Sequence, residues 1–114
     1  MNIKIENRTF MVTLADNETA GAFKAMMPMT ITMNEMNGNE KYYNFPDNLP
    51  TDSYRPGTIQ KGDLMLYGSN CLVLFYETFA SSYNYTRIGK VDNTAGLTEA
   101  VGSGNVNVIV EIQN

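Results

Sequence analysis

The sequence predicts a mainly-β domain: a sheet of about eight short strands closed into a barrel, with two short helices capping it. Three observations carry that expectation. Apolar and polar residues alternate with a period of two in segment after segment, as in "IKI", "TFMVTL", "MTITM" and "VNVIVEI". Short polar runs built on Asn and Gly, such as "ENR", "NGN" and "GSN", separate these segments. Only two stretches show the wider spacing of a helical face, and both fall between strands, where they would plug the ends of a closed sheet.

Taken in order, residues 3–5 and 9–14 read as a hairpin, with Ile3, Ile5, Phe10, Val12 and Leu14 on its apolar face. Asp16 or Asn17 then caps a helix whose stripe is Ala20, Phe23, Met26 and Met27, and Pro28 ends it. "MTITMNEM" is the next strand, closed by "NGN" at 37–39, and "EKYYNF" is a short strand facing it. The stretch 46–57 is irregular and holds Pro46, Pro50 and Pro56; loops of this length are often functional. "DLMLY" and "CLVLFY" form a hairpin around "GSN" at 68–70. Because the second of these is apolar on both faces, it should be central and covered on each side. "ETFASSYN" reads as a polar loop and "YTRIGKV" as a strand. Asp92 or Asn93 would cap a second helix burying Leu97, Ala100 and Val101, with Gly102 and Gly104 as its stop. "VNVIVEI" closes the chain.

A chain of 114 residues makes one domain, 1–114. It buries roughly two thirds of its unfolded surface and needs no disulfide or metal staple. The net charge of −4 and the scattered Lys and Arg residues exclude a nucleic-acid binder, which needs clustered cations. No histidine is present, so catalytic triads, Cys-His dyads and the commonest zinc sites are excluded. Cys71 is the lone cysteine and reads as a small core residue. The methionines at 26, 27, 29, 33 and 36 also read as core, with an adaptable binding surface as the alternative. No segment has the length and hydropathy to insert in a membrane. The sequence as it stands predicts a cytoplasmic protein, or an exported one if a leader was removed ahead of Met1.

The residues that bear chemistry are few. Tyr67, Tyr76, Phe79, Tyr83, Tyr85 and Arg87 cluster in the second half of the chain and suggest a shallow ligand-binding surface, as against ordinary cross-strand aromatic pairs. Glu40 is the most suggestive acid, either a ligand-binding group or a structural acceptor in its loop. A two-carboxylate mechanism would need Asp63 or Glu77 beside it, and nothing in the spacing requires that. Asp47 and Asp52 could contribute to a cation site, but no calcium-loop pattern surrounds them, and no metal or other cofactor is expected. "GSGN" at 102–105 lacks the lysine and the following helix of a phosphate loop.

The phrases "ADNETAGAFKAMMPMTITM" (15–33), "NGNEKYY" (37–43), "GDLMLYGSNCLVLFY" (62–76) and "TRIGKV" (86–91) resemble those of the bacterial cyclophilin-like family. These are small proteins with the cyclophilin barrel but without its full active site. The resemblance spans nearly the whole chain and implies an eight-stranded barrel capped by two helices. It also directs attention to "RPGTIQKGD", which can be laid on the catalytic phrase of true cyclophilins with residues deleted at two places. That alignment makes Arg55 and Gln60 the candidate catalytic residues. Thr58 stands where the family has the phenylalanine of the proline pocket, and the chain has no histidine or tryptophan to complete that pocket.

The leading expectation is therefore a binding module that holds a peptide segment or small molecule near Arg55 and Gln60. A weak peptidyl-prolyl isomerase and an assembly domain are the alternatives. Fold alone does not choose among them, and the sequence leaves the oligomeric state open.

Overall fold

The computed structural model describes residues 1–112. The expected hairpins form first. Strand β1 (Asn2–Ile5) pairs antiparallel with β2 (Arg8–Leu14), and Ile3 lies opposite Phe10. Helix α1 (Glu18–Ala25) follows, and Asn17 caps it by accepting from the Ala20 N–H at 2.8 Å. Strands β3 (Met29–Met36) and β4 (Glu40–Asn44) pair across a turn in which Asn37 and Gly38 both have positive φ, a conformation these two residue types tolerate. Strands β6 (Asp63–Tyr67) and β7 (Cys71–Phe75) form the "GSN" hairpin, β9 spans Thr86–Val91, α2 spans Leu97–Val101 and β10 spans Val106–Glu111.

Eight strands close in the order β1-β10-β3-β4-β7-β6-β9-β2, every neighbour antiparallel. Alternate side chains point inward, so partners in register also meet in the core: Ile3 with Val110, Val108 with Ile31, Val106 with Met33, Leu66 with Leu72. Closure leaves no edge in this barrel for another chain to extend. The helices close opposite ends. Phe23 of α1 packs on Phe45, just past β4, while Thr98 of α2 donates to the carbonyl of Tyr76, just past β7. Gly89 on β9 admits close approach of β2, since a Cβ there would lie 2.7 Å from the Thr13 carbonyl oxygen.

Three differences from the sequence expectation have local causes. The stretches "TI" and "FA", read as loop, form a two-stranded ribbon of β5 (Thr58–Ile59) and β8 (Phe79–Ala80). The ribbon lies over the outer face of β6 and β7, where Ile59, Met65, Val73, Phe75 and Tyr85 make a second apolar cluster. This roof explains why β7 is apolar on both faces. Second, α2 begins after Gly96, which stands at the cap position and offers no side-chain cap. Asp92 instead accepts from the Thr13 hydroxyl, and Asn93 accepts from the Ala95 N–H within the preceding turn. Third, of the five methionines between 26 and 36 only Met33 is fully enclosed; Met26, Met27 and Met29 lie against the core, and Met36 is exposed.

Candidate functional site

The pleat of β4 divides the polar chemistry of this domain between inside and outside. Lys41 and Tyr43 point inward, whereas Glu40, Tyr42 and Asn44 point outward. Each face builds its own cluster.

On the inner face, Lys41 is fully buried at the α2 end of the barrel. Its ammonium donates to Glu35 at 2.9 Å, to the Gly102 carbonyl at 3.0 Å, and to the Gly104 carbonyl. These three acceptors use all three of its hydrogens. The ammonium also lies 5.4 Å from the centre of the Tyr76 ring. Tyr76 in turn donates its hydroxyl to Glu35 at 2.6 Å, and the Gly38 N–H donates to the same carboxylate at 2.7 Å. Burial alone would raise the Glu35 pKa, but the bonds from Tyr76, Lys41 and Gly38 and the Lys41 charge together hold it below its ordinary value. Burial first, and then the bond to Glu35, push the Tyr76 hydroxyl well above the usual tyrosine range. With every group satisfied, this cluster is a structural plug.

On the outer face, register sets three rows. Asn44, Cys71 and Tyr67 form one, Tyr42, Val73 and Met65 the next, and Glu40 and Phe75 the third. A hollow of about 550 Å³ lies over them. Val73 and Cys71 floor it, the rings of Tyr42, Tyr67, Tyr83 and Tyr85 wall it, and Met36, Glu40 and three asparagines (Asn37, Asn44 and Asn70) line its remaining sides. Tyr67 is the centre of the aromatic wall, 5.9 Å from Tyr83 in an edge-on contact and 5.7 Å from Tyr85. Tyr85 is buried and fixed by paired backbone bonds to Tyr54, each 2.9 Å long. Tyr67 and Tyr83 are open to solvent.

Glu40 is half-buried beside this hollow. No side chain or backbone N–H among the described residues bonds to its carboxylate. Burial, and secondarily the charge of Glu35, raises its pKa. Burial and then Glu40 likewise raise the Cys71 thiol, which is free and half-buried.

Of the residues singled out by sequence, Glu40, Tyr67 and Tyr83 line the hollow. Tyr76 lies inside the barrel, and Phe79 packs on Phe75 at 5.6 Å as part of the outer roof. Arg87 bonds to the Tyr54 hydroxyl at 3.2 Å and pairs with the buried carboxylate of Asp63 at 3.4 Å. Arg55 is exposed and donates through Nε to the Ser82 carbonyl, next to Tyr83. The side chain of Gln60 is exposed, and its backbone N–H donates to Asp63. Neither Arg55 nor Gln60 lines the hollow. Tyr85, from the same aromatic cluster, lines it too, as does Met36, for which a binding surface was the alternative to core. Tyr42 and Cys71 also line it, and the sequence did not single them out for a site. Among the described residues, no three acidic or cysteine side chains come together as a metal site, and no helix is long and apolar enough to cross a membrane.

Both the barrel with its two end helices and the sequence itself agree on a class. A model of the cyclophilin-like family matches residues 3–113, and the chain belongs to that family. No curated protein and no solved structure matches it.

Proposed function

We propose that this domain is a binding module whose ligand, a peptide segment or small molecule, lies in the tyrosine-walled hollow on the outer face of β4, β7 and β6. The observation that carries this reading is the hollow itself. It combines an apolar floor, four aromatic rings and the carboxamides of Asn37, Asn44 and Asn70, the mixture of contact area and sparse directed polarity that ligand sites use. Arg55 enters the reading as a brace: by holding the Ser82 carbonyl it fixes the loop that presents Tyr83. Gln60, at the end of β5, is open to a ligand that extends along the ribbon.

A prolyl isomerase would need a guanidinium beside an apolar pocket that holds the proline ring, to stabilise the twisted amide against a barrel wall. The guanidinium of Arg55 is engaged with a loop carbonyl outside the hollow, which favours binding over catalysis. The test uses a pool of blocked Ala-Xaa-Pro-Ala tetrapeptides, Xaa being each amino acid, added to labelled protein. Shifts of backbone amides in residues 40–44, 68–73 and 83–85 are expected, with unchanged cis/trans exchange of the peptides. A pool that moves none of these amides overturns the reading. Accelerated exchange that vanishes in Arg55→Ala replaces it with the isomerase.

A further inference from the structure

We propose that the hollow takes an ammonium group, the side chain of a lysine in an extended peptide, with Glu40 as its counter-charge and the faces of Tyr42, Tyr67 and Tyr83 as its walls. This rests on the binding-module reading above and names the chemistry of its ligand.

Charge is the first argument. Among the described residues, Glu40 is the only ionic side chain that lines the hollow, and no lysine or arginine lines it. The cation adjacent in sequence, Lys41, points through the opposite face of β4 and has spent its three hydrogens on Glu35, Gly102 and Gly104. The Glu40 carboxylate is thus partly desolvated and without a protein partner, and burial pushes its pKa up. A group that is expensive to ionise in the empty domain is relieved by a cation from outside.

The second argument is the kind of wall. Electron-rich ring faces attract a cation within about 6 Å of their centres, more strongly as water is excluded. A single carboxylate with Tyr42 two residues along the same face, in a hollow that Tyr67 and Tyr83 also line, suits an ammonium better than an anion or a neutral apolar group. Asparagine carbonyls on the remaining sides supply further acceptors for its N–H groups.

The third argument is shape. A second hollow of about 520 Å³ adjoins the first, and Tyr67, Gly68 and Tyr83 line both. Its other lining residues, Thr51, Ser53, Ser69 and Asn84, are neutral and polar. A free small cation would use only the first hollow. A peptide can place its lysine there and lay its backbone across the Tyr67–Tyr83 ridge into the second.

The experiment compares three probes on the labelled full chain: blocked Ala-Lys-Pro-Ala, the same peptide with norleucine for lysine, and tetramethylammonium chloride. The lysine peptide is expected to bind about tenfold more tightly than the norleucine peptide. That advantage should disappear in Glu40→Gln and weaken in Tyr83→Ala, an exposed ring whose loss leaves the core intact. Amides of residues 51–53 should shift with the lysine peptide and stay still with tetramethylammonium. Equal binding of the two peptides overturns the ammonium proposal and leaves the binding module standing. Binding of neither overturns the module and the proposal with it. If tetramethylammonium binds as tightly as the lysine peptide, the peptide backbone contributes nothing and the peptide assignment falls.

Discussion

Replacing Lys41 with methionine tests the interior plug. The substitution keeps an unbranched side chain, one atom shorter, and removes one charge and three donors. It leaves the carbonyls of Gly102 and Gly104 without their donor, and Glu35 without the one cation that pairs with it among the described residues. Stripping one partner from a buried ion pair costs about 3–5 kcal/mol. Glu35 keeps the Tyr76 hydroxyl and the Gly38 N–H, and its side chain is 22% exposed, so the lower end applies, about 3 kcal/mol. At about 2.1 cal/mol/K of unfolding entropy per residue, 114 residues give about 0.24 kcal/mol/K, and the melting temperature should fall by about 12 °C. Urea unfolding at pH 7, followed by circular dichroism, measures the loss directly. The gap should narrow in acid. The Glu35 pKa is depressed in the folded state, so the stability it contributes is complete above its ordinary value of 4.5 and is lost as pH falls through the lower folded value. Adding Glu35→Gln to Lys41→Met should restore part of the loss, because the carboxylate no longer lacks a counter-charge. A loss below about 1 kcal/mol for Lys41→Met would refute the argument that this ammonium is a satisfied and necessary part of the core.

Two further substitutions address the groove and the closure of the barrel. Glu40→Gln should stabilise the protein at neutral pH. The folded pKa of Glu40 is raised, so its wild-type contribution is complete below the ordinary value of 4.5 and is lost as pH rises through the raised value. The advantage of the variant should therefore open with rising pH in thermal scans, and equal stability at pH 7 would contradict the assigned environment of Glu40. Gly89→Ala should cost about 2 kcal/mol, since its Cβ would meet the Thr13 carbonyl oxygen at 2.7 Å and the Leu14 Cα at 3.3 Å, both backbone atoms that move only if β2 and β9 separate. Neutral denaturant midpoints in this variant would show that the two strands approach less closely than the structure has them.

The barrel strands were legible because each is five or more residues of alternation, or part of a hairpin with an Asn or Gly turn. The β5–β8 ribbon was not, because "TI" and "FA" are two residues each and too short to show a period. Their pairing follows from the apolar outer face of β6 and β7 that they cover; the sequence marked that face on β7 but not the segments that cover it. The cap of α2 misled for a similar reason: Asp92 and Asn93 are good capping types, but β9 ends at Val91 and the chain needs a turn through Gly96 before the helix begins. In "EKYYN" the usual reading of an alternating strand puts the lysine outside and the tyrosines inside. The register does the reverse for Lys41 and Tyr42, because at the barrel mouth Gly102, Gly104 and Glu35 offer the ammonium a full set of acceptors. Glu40, Tyr67 and Tyr83 could be named from sequence as an unexplained acid and exposed aromatics near turns. Cys71 could not, since its residue type looks like core. Arg55 and Gln60 came from the family pattern rather than from local chemistry.

The plug and the groove are coupled through β4. Its side-chain period is two, so a slip of one residue against β7 would turn Glu40 and Tyr42 inward and bring Lys41 out. The outer face of β4 opposes that slip only through Tyr42, half-buried against the second apolar cluster, since Glu40 and Asn44 are polar and at least partly exposed. On the inner face Tyr43 is only half-buried, and its edge-on contact with Phe45 at 5.4 Å is weak register information by itself. Lys41 supplies the rest, because an ammonium enclosed by one carboxylate and two carbonyls has a single acceptable position, and leaving it would strand a buried charge. The interior ion pair, which adds little as a hydrophobic contact, thus holds the register that aims Glu40 and Tyr42 into the hollow. An unpaired outer carboxylate is affordable on this strand because its neighbour in sequence is locked on the other side.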